Sequence, residues 1–315
     1  MLDTAFTRLV GCRRPIQLAP VGGAELVAAV CAAGGLGMVA THAPSAPALE
    51  AELDALAARG HDARGVNFLM PFLDRACLEI ASRKARVVEF FYGEPSAALV
   101  REAGAHGALV AWQTGSLAEA LAAQDAGCDF VVVQGSEAGG HVRGTASLLP
   151  LLAQAVSRLR VPVVAAGGIA TARDLAAVLA CGASAARVGT RFVASHESDA
   201  HPSYVAALLA AKAEDTVLTE AYSVGWPNAP HRVLRSAIDA ANALTSDPAA
   251  TMRILGRAVA LPRFAVPPPT RDATGHVEAM ALYAGESVAN IDSVRSVDEI
   301  VTELCDGAEQ LLRGA

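Results

Sequence analysis

The chain has 315 residues, of which 53% are apolar and 18% are charged. This length exceeds one minimal domain and suits a barrel of about 250 residues with an insertion. The apolar fraction predicts a large buried core and excludes an intrinsically disordered chain. The net charge is −7 and no Lys/Arg run is present, which argues against a nucleic-acid-binding surface.

Cysteine usage and the first residues bear on the compartment. None of the six cysteines forms a C-x-x-C pair, and most lie in alanine-rich apolar stretches, where a free thiol behaves as a small hydrophobic side chain. This pattern is typical of a reducing compartment. The chain does not start with a basic region followed by an apolar run, and apolar runs elsewhere are short. We therefore expect a cytoplasmic protein with no signal peptide and no membrane span.

Short apolar runs alternate with alanine- and leucine-rich segments over the first two thirds of the chain. The runs resemble strands buried on both faces, and the segments between them have helical spacing. The predicted strands are 16–20, 36–40, 65–69, 87–91, 108–113, 130–134, 161–166 and 185–189. The predicted helices include 24–33, 46–59, 95–103, 117–126, 148–158 and 172–181. This alternation indicates parallel strands covered by helices.

Eight such units could form a closed barrel or an open doubly wound sheet. The count of eight and the even spacing favour an α/β fold of the (β/α)₈ TIM-barrel type. The first strand is followed by Val21-Gly22-Gly23-Ala24. This is not the G-x-G-x-x-G fingerprint of a dinucleotide-binding open sheet. We therefore predict a barrel over residues 1–212.

The alternation ends near Lys212. Residues 213–290 contain Trp226-Pro227, a run of three prolines and little strand signal, with a helix candidate at 231–244. We predict a mostly helical segment that caps the substrate pocket. Residues 297–312 have apolar side chains at helical spacing. We expect the last segment, 291–315, to form a helix that packs back on the barrel.

Glycines end two neighbouring predicted strands. Strand seven ends in Ala166-Gly167-Gly168, and strand eight ends in Arg187-Val188-Gly189-Thr190. Glycines let backbone N–H groups approach an anion, and barrels often bind phosphate after strands seven and eight. The alternative is that these glycines only form tight turns. Two glycine sites on adjacent strands favour phosphate binding.

The loop after strand six, residues 134–144, contains four glycines, Glu137 and His141. Histidine titrates near neutral pH, so His141 is a candidate base or hydrogen-bond donor. Glu137 and His141 could be read as metal ligands, but no third ligand is evident and we expect no metal. The two lysines lie off the strands and no G-x-S-x-G motif is present, which disfavours a Schiff-base aldolase and a serine hydrolase.

Three amide side chains stand on or at the ends of apolar strands. These are Asn67, Gln113 and Gln134. A buried amide needs a hydrogen-bond partner, and a heteroaromatic ring with carbonyl and N–H edges is a suitable one. A phosphate, a planar ring and converging amides together indicate FMN rather than a sugar phosphate.

At this point the motifs resemble a known family, the FMN-dependent nitronate monooxygenases, formerly called 2-nitropropane dioxygenases. The similar segments are PIQLAP at 15–20, AAVCAAGGLG at 28–37, GVNF at 65–68, QGSEAGGH at 134–141, PVVAAGGI at 162–169 and RVGTRF at 187–192. The resemblance covers about residues 10–200. FMN-dependent enoyl-acyl-carrier-protein reductases are similar in the loop motifs, so the resemblance does not separate these subfamilies.

The resemblance implies a cofactor site and a catalytic histidine. His141 is implied to lie near the flavin N5. The expected FMN contacts are Ala19, Pro20, Val21, Asn67, Gln113, Gln134, Gly139, Gly140, Ala166, Gly167, Gly168, Arg187, Val188, Gly189 and Thr190. Two departures bear on the substrate: Val21 stands where the family often has Met, and Val142 is inserted before Arg143.

The implied activity is oxidation of alkyl nitronates, or of nitroalkanes, with O₂ to a carbonyl compound and nitrite. His141 would orient the nitro group or take the α-proton. The alternatives are an NAD(P)H-dependent reductase of enoyl thioesters or quinones, and a flavin-binding accessory protein without turnover. Val21, Trp226 and Tyr222 are candidates for lining the substrate pocket. The apolar composition fits a homodimer.

Overall fold

The computed structural model describes residues 2–41, 45–254 and 256–314. Eight parallel strands form the central sheet: β1 Ile16–Leu18, β2 Gly37–Ala40, β3 Arg64–Leu69, β4 Val87–Phe91, β5 Leu109–Thr114, β6 Phe130–Gln134, β8 Val163–Ala166 and β9 Ala185–Val188. The short strand β7, Gly140–His141, lies outside the barrel. The order of the strands in the sheet is β1-β9-β8-β6-β5-β4-β3-β2. Within the described ranges no helix has the length and apolar character needed to cross a membrane.

The sheet closes on itself. Strands β1 and β9 pair in parallel, with Gln17 opposite Arg187. On the other side of β1, a bridge joins Gln17 to Leu36, and the Leu18 amide donates to the Leu36 carbonyl over 2.9 Å. The predicted (β/α)₈ barrel is therefore confirmed.

Helices alternate with the barrel strands as predicted. They are α1 Ala5–Val10, α2 Ala24–Ala32, α3 Ala46–Ala58, α4 Arg75–Lys84, α5 Ala97–Ala103, α6 Leu117–Asp125, α7 Leu148–Arg158, α8 Ala172–Ala180, α9 Thr190–Val193, α10 Pro202–Ala210, α11 Arg235–Ala243 and α12 Val297–Arg313. Helix α4 is not among the helices predicted from apolar spacing. It begins after Asp74, whose carboxylate accepts from the Ala76 and Cys77 amides over 2.8 and 3.0 Å, as an N-cap does.

The amino-terminal end of the barrel is closed by apolar packing. Helix α1 lies across this end, and the Phe6 ring meets the Phe130 ring edge-on at 5.4 Å. Both rings are fully buried. Arg86 ties the end of α1 to the barrel, because its guanidinium donates to the Leu9 and Val10 carbonyls over 2.6 and 2.9 Å. Helix α12 packs on the outside against α8 and α2.

The segment 213–290, called the cap below, differs from the mostly helical segment that its sequence predicts. Its described residues form one α-helix, three 3₁₀ turns and the strands of two small antiparallel sheets, one of which also includes β7. The strands are β10 Thr216–Thr219, β11 His231–Leu234, β12 Ala250–Ile254, β13 Arg257–Leu261 and β14 Thr274–Gly275; the turns are Ala213–Asp215, Val277–Ala279 and Glu286–Asn290. The helix predicted at 231–244 begins only at Arg235, because 231–234 pairs with β10 and β7. These partners are distant in the chain, so local spacing could not indicate them.

Candidate active site

The carboxyl ends of the barrel strands form one rim, called the mouth below. Gln17 and Arg187 face the barrel interior, where each contacts Glu89. Side chains alternate between interior and exterior along a strand, so positions two residues further on face inward as well. Ala19 and Gly189 therefore face inward at the mouth. This end of the barrel is where TIM-barrel enzymes carry their active sites.

The loop after β8 has the backbone of an anion-binding turn. Gly167 and Gly168 have φ angles of 111° and 69°, which glycine adopts without strain. A Cβ on Gly167 would lie 3.2 Å from the Ala138 amide nitrogen, so this loop and the loop after β6 lie against each other. No other described residue accepts a hydrogen bond from the amides of Gly167 or Gly168. These two N–H groups are free for an anion.

The first turn of α8 follows this loop but is satisfied by its own residues. Asp174 accepts from the Ala170 and Thr171 amides over 3.0 and 2.8 Å, and Thr171 Oγ1 accepts from the Asp174 amide over 3.3 Å. This is a capping box. The capacity to bind an anion therefore lies in the glycine loop rather than in the helix end.

The end of β9 lies beside the glycine loop. The Val188 side chain is buried in the core, and its carbonyl accepts from the Ala19 amide over 2.8 Å. A Cβ on Gly189 would lie 3.2 Å from Ala19 Cβ, which keeps the first and last strands close. Thr190 Oγ1 accepts from the Gly285 amide over 3.0 Å. The Thr190 hydroxyl therefore joins the cap to the predicted phosphate site and keeps its own proton to donate.

Two glycines of the loop after β6 contact the cap. Gly139 lies against the backbone of Ala284 and Gly285, where a Cβ would collide. Gly140 belongs to β7 and pairs with Arg232 of β11. Arg232 is 9% exposed and donates to the Ser136 carbonyl over 2.9 Å. The cap thus contacts the loop after β6 at Ser136, Gly139 and Gly140.

Gln113 and Gln134 have different environments. Gln113 Oε1 is buried and has no hydrogen-bond partner in the structure. Both polar atoms of the Gln134 amide already have protein partners. Its Nε2 donates to the His141 carbonyl over 2.9 Å, and its Oε1 accepts from the Arg143 amide over 3.3 Å. Gln113 is therefore available to a ligand, whereas Gln134 holds the loop that carries His141.

Asn67 belongs to a buried cluster that sequence reasoning missed. Its Nδ2 donates to Glu89 over 2.7 Å, Gln17 Nε2 donates to Glu89 over 2.7 Å, and Arg187 forms an ion pair with the same carboxylate. Glu89 is fully buried and Arg187 is 5% exposed. A carboxylate inside the apolar strand V-V-E-F-F was the available signal, because a buried charge needs a partner.

His141 lies at the mouth with its ring largely enclosed. Strand β7 holds it opposite His231 of β11, and the ring centroids are 5.3 Å apart. His141 Nε2 is buried and has no hydrogen-bond partner in the structure. Burial, with a smaller contribution from the neighbouring His231, lowers the pKa of the His141 imidazole to about 3. His141 is therefore neutral at physiological pH, with one ring nitrogen open to a ligand.

Aromatic rings surround His141. Trp226 stacks on it at 4.0 Å with 25° between the planes, Tyr283 lies at 5.7 Å, and Tyr92 meets it edge-on at 6.0 Å. Trp226, a candidate from the sequence, thus contacts the candidate catalytic residue. Tyr222, the other candidate, is 1% exposed and donates to the Ala279 carbonyl over 3.0 Å, so it belongs to the core of the cap.

The first motif and the end of β8 complete the rim. Ala166 is the last residue of β8 and is 4% exposed. Pro20 follows Ala19 and is partly buried. Val21, also partly buried, packs against both the barrel core and the core of the cap. Val21 therefore lies where the two units meet above the mouth.

Glu137, the second residue weighed as a metal ligand, has a structural role. Its carboxylate accepts from the Leu148 amide over 2.8 Å at the first turn of α7. Among residues 2–41, 45–254 and 256–314, no group of three His, Cys, Asp or Glu side chains is placed to hold a metal ion.

An open cleft of about 270 Å³ lies at the opposite, amino-terminal end of the barrel. Basic side chains line the cleft, but they already have protein partners. Lys84 pairs with Asp54 and Glu50 over 2.7 and 3.0 Å, and Arg86 donates to carbonyls of α1. Arg64 Nε is buried there without a partner, but no buried acceptor or ring nitrogen of the described lining residues lacks one, in contrast to the mouth.

The residues at the mouth fit FMN. The free amides of Gly167 and Gly168 suit a phosphate. The unpartnered Gln113 Oε1 suits a ring N–H, and the remaining N–H groups of Arg187 suit a ring carbonyl or ring nitrogen. FMN presents a phosphate at one end and a planar ring with N–H and carbonyl edges at the other.

Comparison with known proteins identifies the family of the chain. The family model for nitronate monooxygenase matches residues 58–307. A (3aS,4S,5R,7aS)-5-hydroxy-7a-methyl-1-oxo-octahydro-1H-indene-4-carboxyl-CoA dehydrogenase of Rhodococcus jostii is 34% identical over 75% of this chain and 66% of its own length. The match therefore spans slightly less than two thirds of that relative. A nitronate monooxygenase of Paraburkholderia phytofirmans is 32% identical over 78% of this chain and 79% of its own length.

Solved structures extend the likeness to the whole chain. FabK of Thermotoga maritima has a TM-score of 0.81 and 29% identity, with 100% of this chain and 98% of that chain covered. A nitroalkane oxidase of Streptomyces ansochromogenes has a TM-score of 0.77 and 28% identity, with 98% and 100% covered. Because the family model covers well over half of the chain, this oxidoreductase belongs to the nitronate monooxygenase family.

Proposed function

We propose that the protein is an FMN-dependent oxidoreductase that oxidises alkyl nitronates with O₂ to a carbonyl compound and nitrite. The observation that carries this proposal is the state of His141. Its Nε2 is buried, unpartnered and on a neutral imidazole at the mouth. FMN would supply the electron transfer, and the chain would bind it and orient the substrate.

The cofactor contacts in this proposal are divided between two sides of the mouth. The phosphate would be held by the Gly167–Gly168 loop and the Thr190 hydroxyl. The ring would face Gln113 and the free N–H groups of Arg187. Asn67 and Gln134 would act through other groups, because their side chains already bind Glu89 and the His141 loop.

The low pKa of His141 favours one of its two predicted roles. An imidazole with a pKa of about 3 is a weak base, so removal of an α-proton from a neutral nitroalkane is disfavoured. A neutral imidazole can still donate a hydrogen bond through its protonated ring nitrogen. We therefore assign His141 to orienting the nitronate oxygen atoms, which makes the nitronate anion the preferred substrate over the nitroalkane.

The rings around His141 would exclude water from the reacting atoms. Trp226 covers one face of the imidazole, and Tyr283 lies beside it. Exclusion of water strengthens a hydrogen bond to an anionic substrate. The proposal therefore makes Trp226 part of the substrate pocket.

The first test is anaerobic reduction of the FMN-loaded protein. Addition of propionate 3-nitronate is expected to bleach the flavin absorption, and NADPH is expected to leave it unchanged on the same timescale. Readmission of O₂ should restore the spectrum with release of nitrite. Rapid bleaching by NADPH with none by the nitronate would contradict the proposal.

A second candidate function follows from two relatives. The Rhodococcus jostii and Mycobacterium tuberculosis proteins, 34% and 33% identical, are named as dehydrogenases of a CoA thioester. On this reading the protein would oxidise, or with NAD(P)H reduce, a thioester at the same site. Bleaching by an acyl-CoA or by NADPH, without nitrite formation from the nitronate, would favour it.

We also propose that the enzyme acts in the cytoplasm. Cys12, Cys31, Cys128 and Cys305 are buried, Cys181 is half-buried, and none of these five forms a disulfide. Burial raises the pKa of several of these thiols, for example that of Cys31 to about 11, so they remain protonated and inert. Thiol titration of the protein purified without reductant should find no disulfide.

A further inference from the structure

Four polar side chains form a buried layer across the barrel axis. This polar layer consists of Gln17, Asn67, Glu89 and Arg187, and none of the four is more than 5% exposed. Glu89 is at its centre and accepts from the other three. The proposed reaction uses neither Glu89 nor Gln17, so the layer needs a separate explanation.

Strand register places the polar layer directly beneath the mouth. Glu89 lies opposite Ala111 in the β4–β5 pairing, and Gln113 is the next inward-facing position after Ala111. On β9, Gly189 is likewise the next inward-facing position after Arg187. The layer is therefore one step below the residues expected to face the flavin ring.

The two charges of the layer are bound unequally. The Glu89 carboxylate accepts hydrogen bonds from three donors and its side chain is fully buried, whereas 4% of the Arg187 side-chain surface is exposed. Glu89 is the only partner that the described residues offer Arg187. The positions two residues earlier on the strands of Arg187 and Glu89 are Ala185 and Val87, which are fully buried and apolar. The unpartnered N–H groups of Arg187 therefore face the mouth.

Stability alone does not account for this ion pair. Removing two charges from water costs several kcal/mol per ion, and well-packed apolar residues of similar volume are often as stabilising as a buried pair. The pair therefore points to a role in the electrostatics of the site above it. A charge near the flavin ring is a recognised means of tuning its electronic properties.

We propose that Glu89 is a positioning residue that holds Arg187 beneath the flavin ring and partly offsets its charge, so that the pair sets the reduction potential of the bound FMN. This rests on the proposed function, because it requires FMN at the mouth. Two-electron reduction of FMN leaves it more negative at neutral pH. The Arg187 cation favours the reduced form, and the Glu89 anion opposes it.

The test compares isosteric variants of the holoenzyme. Glu89→Gln leaves Arg187 unneutralised, so the ratio of affinities for reduced and oxidised FMN should rise about tenfold. Arg187→Gln should lower it about tenfold. For a two-electron couple each tenfold change is a shift of about 30 mV, upward for the first variant and downward for the second. Dithionite titration against a reference dye measures the potential.

Controls separate charge from folding. Arg187→Lys keeps the cation and should stay within a few-fold of the wild-type ratio, and the double Gln variant should fall between the two single variants. Arg14→Gln breaks a partly exposed pair with Asp306 away from the mouth and should leave the potential unchanged. If one single variant cannot be purified, the other still tests the proposal, because a shift opposite to the stated direction, or no shift, would contradict it.

The outcomes distinguish this inference from the proposed function. Wild-type protein that binds no FMN overturns both. Wild-type protein that binds FMN and oxidises nitronate, with Glu89→Gln and Arg187→Gln shifting the potential in the same direction or not at all, overturns the inference alone. A purely structural layer would lower the melting temperature of both variants without opposite shifts.

Discussion

The two ends of the barrel are filled in different ways. At the amino-terminal end the Phe6 and Phe130 rings meet edge-on and are fully buried. At the mouth, Gln113 Oε1 and His141 Nε2 are buried without partners. An unpaired buried polar atom costs stability, whereas buried aromatic contact adds to it. The unpartnered buried atom recorded near the amino-terminal end is a donor, Arg64 Nε, in a side chain that also pairs with Asp62, whereas the mouth leaves an acceptor and a ring nitrogen open to a ligand.

The largest expected effect is at the closed end. Phe6→Ala removes a fully buried ring and should lower the free energy of unfolding by about 3–5 kcal/mol. The matched variant at the mouth is Phe72→Ala, because Phe72 is 41% exposed and meets Trp226 edge-on at 5.2 Å. Phe72→Ala should lower the free energy of unfolding by about 1 kcal/mol or less. Denaturant unfolding measures both, and equal losses would remove the contrast between the ends.

The next effect is on turnover. His141→Ala should lower kcat/KM for propionate 3-nitronate by about 100-fold or more, because the only partnerless ring nitrogen described at the mouth is lost. FMN content should be retained, since the glycine loop is untouched. Steady-state kinetics with the flavin spectrum measures both. Unchanged kinetics in a variant that keeps its flavin would exclude His141 from the reaction.

A pair of glycine substitutions separates backbone strain from cofactor binding. Gly168 at the mouth and Gly60 near the opposite end have φ angles of 69° and 75°, and a Cβ has room at both. Alanine at either should cost about 1–2 kcal/mol of stability. Only Gly168→Ala should weaken FMN binding, which fluorescence titration of the flavin reports. Equal FMN affinity in the two variants would argue against a phosphate at this loop.

The smallest effect is on pH dependence. The pKa of His141 is lowered from 6.5 to about 3, so between these values the unfolded chain binds a proton that the folded chain does not. The free energy of unfolding should therefore rise with pH across this window and fall as the pH drops below 6.5. His141→Gln should lose less stability than wild type between pH 7 and pH 5 in thermal melts. An equal loss would mean that His141 is not buried as a neutral group.

The same imidazole makes a prediction about activity. Because His141 stays neutral from pH 5 to pH 8, kcat/KM for the nitronate should show no ionisation attributable to it in this range. A fall in activity with a midpoint near 6.5 that disappears in His141→Gln would contradict a neutral role.

Local patterns predicted the barrel well and the cap poorly. Apolar runs and the Gly167–Gly168 pair depend on neighbouring residues, so the strands and the glycine loop could be predicted from spacing. The helix predicted at 231–244 begins with a strand, because β11 pairs with β7 about 90 residues earlier in the chain. Tertiary pairing overrides local helical preference there.

For the candidate site as well, local sequence predicted some features and tertiary contacts decided the others. The sequence alone determined the residue types of the candidate site: glycines at two adjacent strand ends, an amide at Gln113 and a histidine in a glycine-rich loop. Only the tertiary structure decided which of them are free. The Asn67 and Gln134 side chains already bind protein partners, whereas Gln113 Oε1 and His141 Nε2 have none, because barrel closure and the cap bring together residues up to 170 positions apart, as in the Gln17–Arg187 pairing.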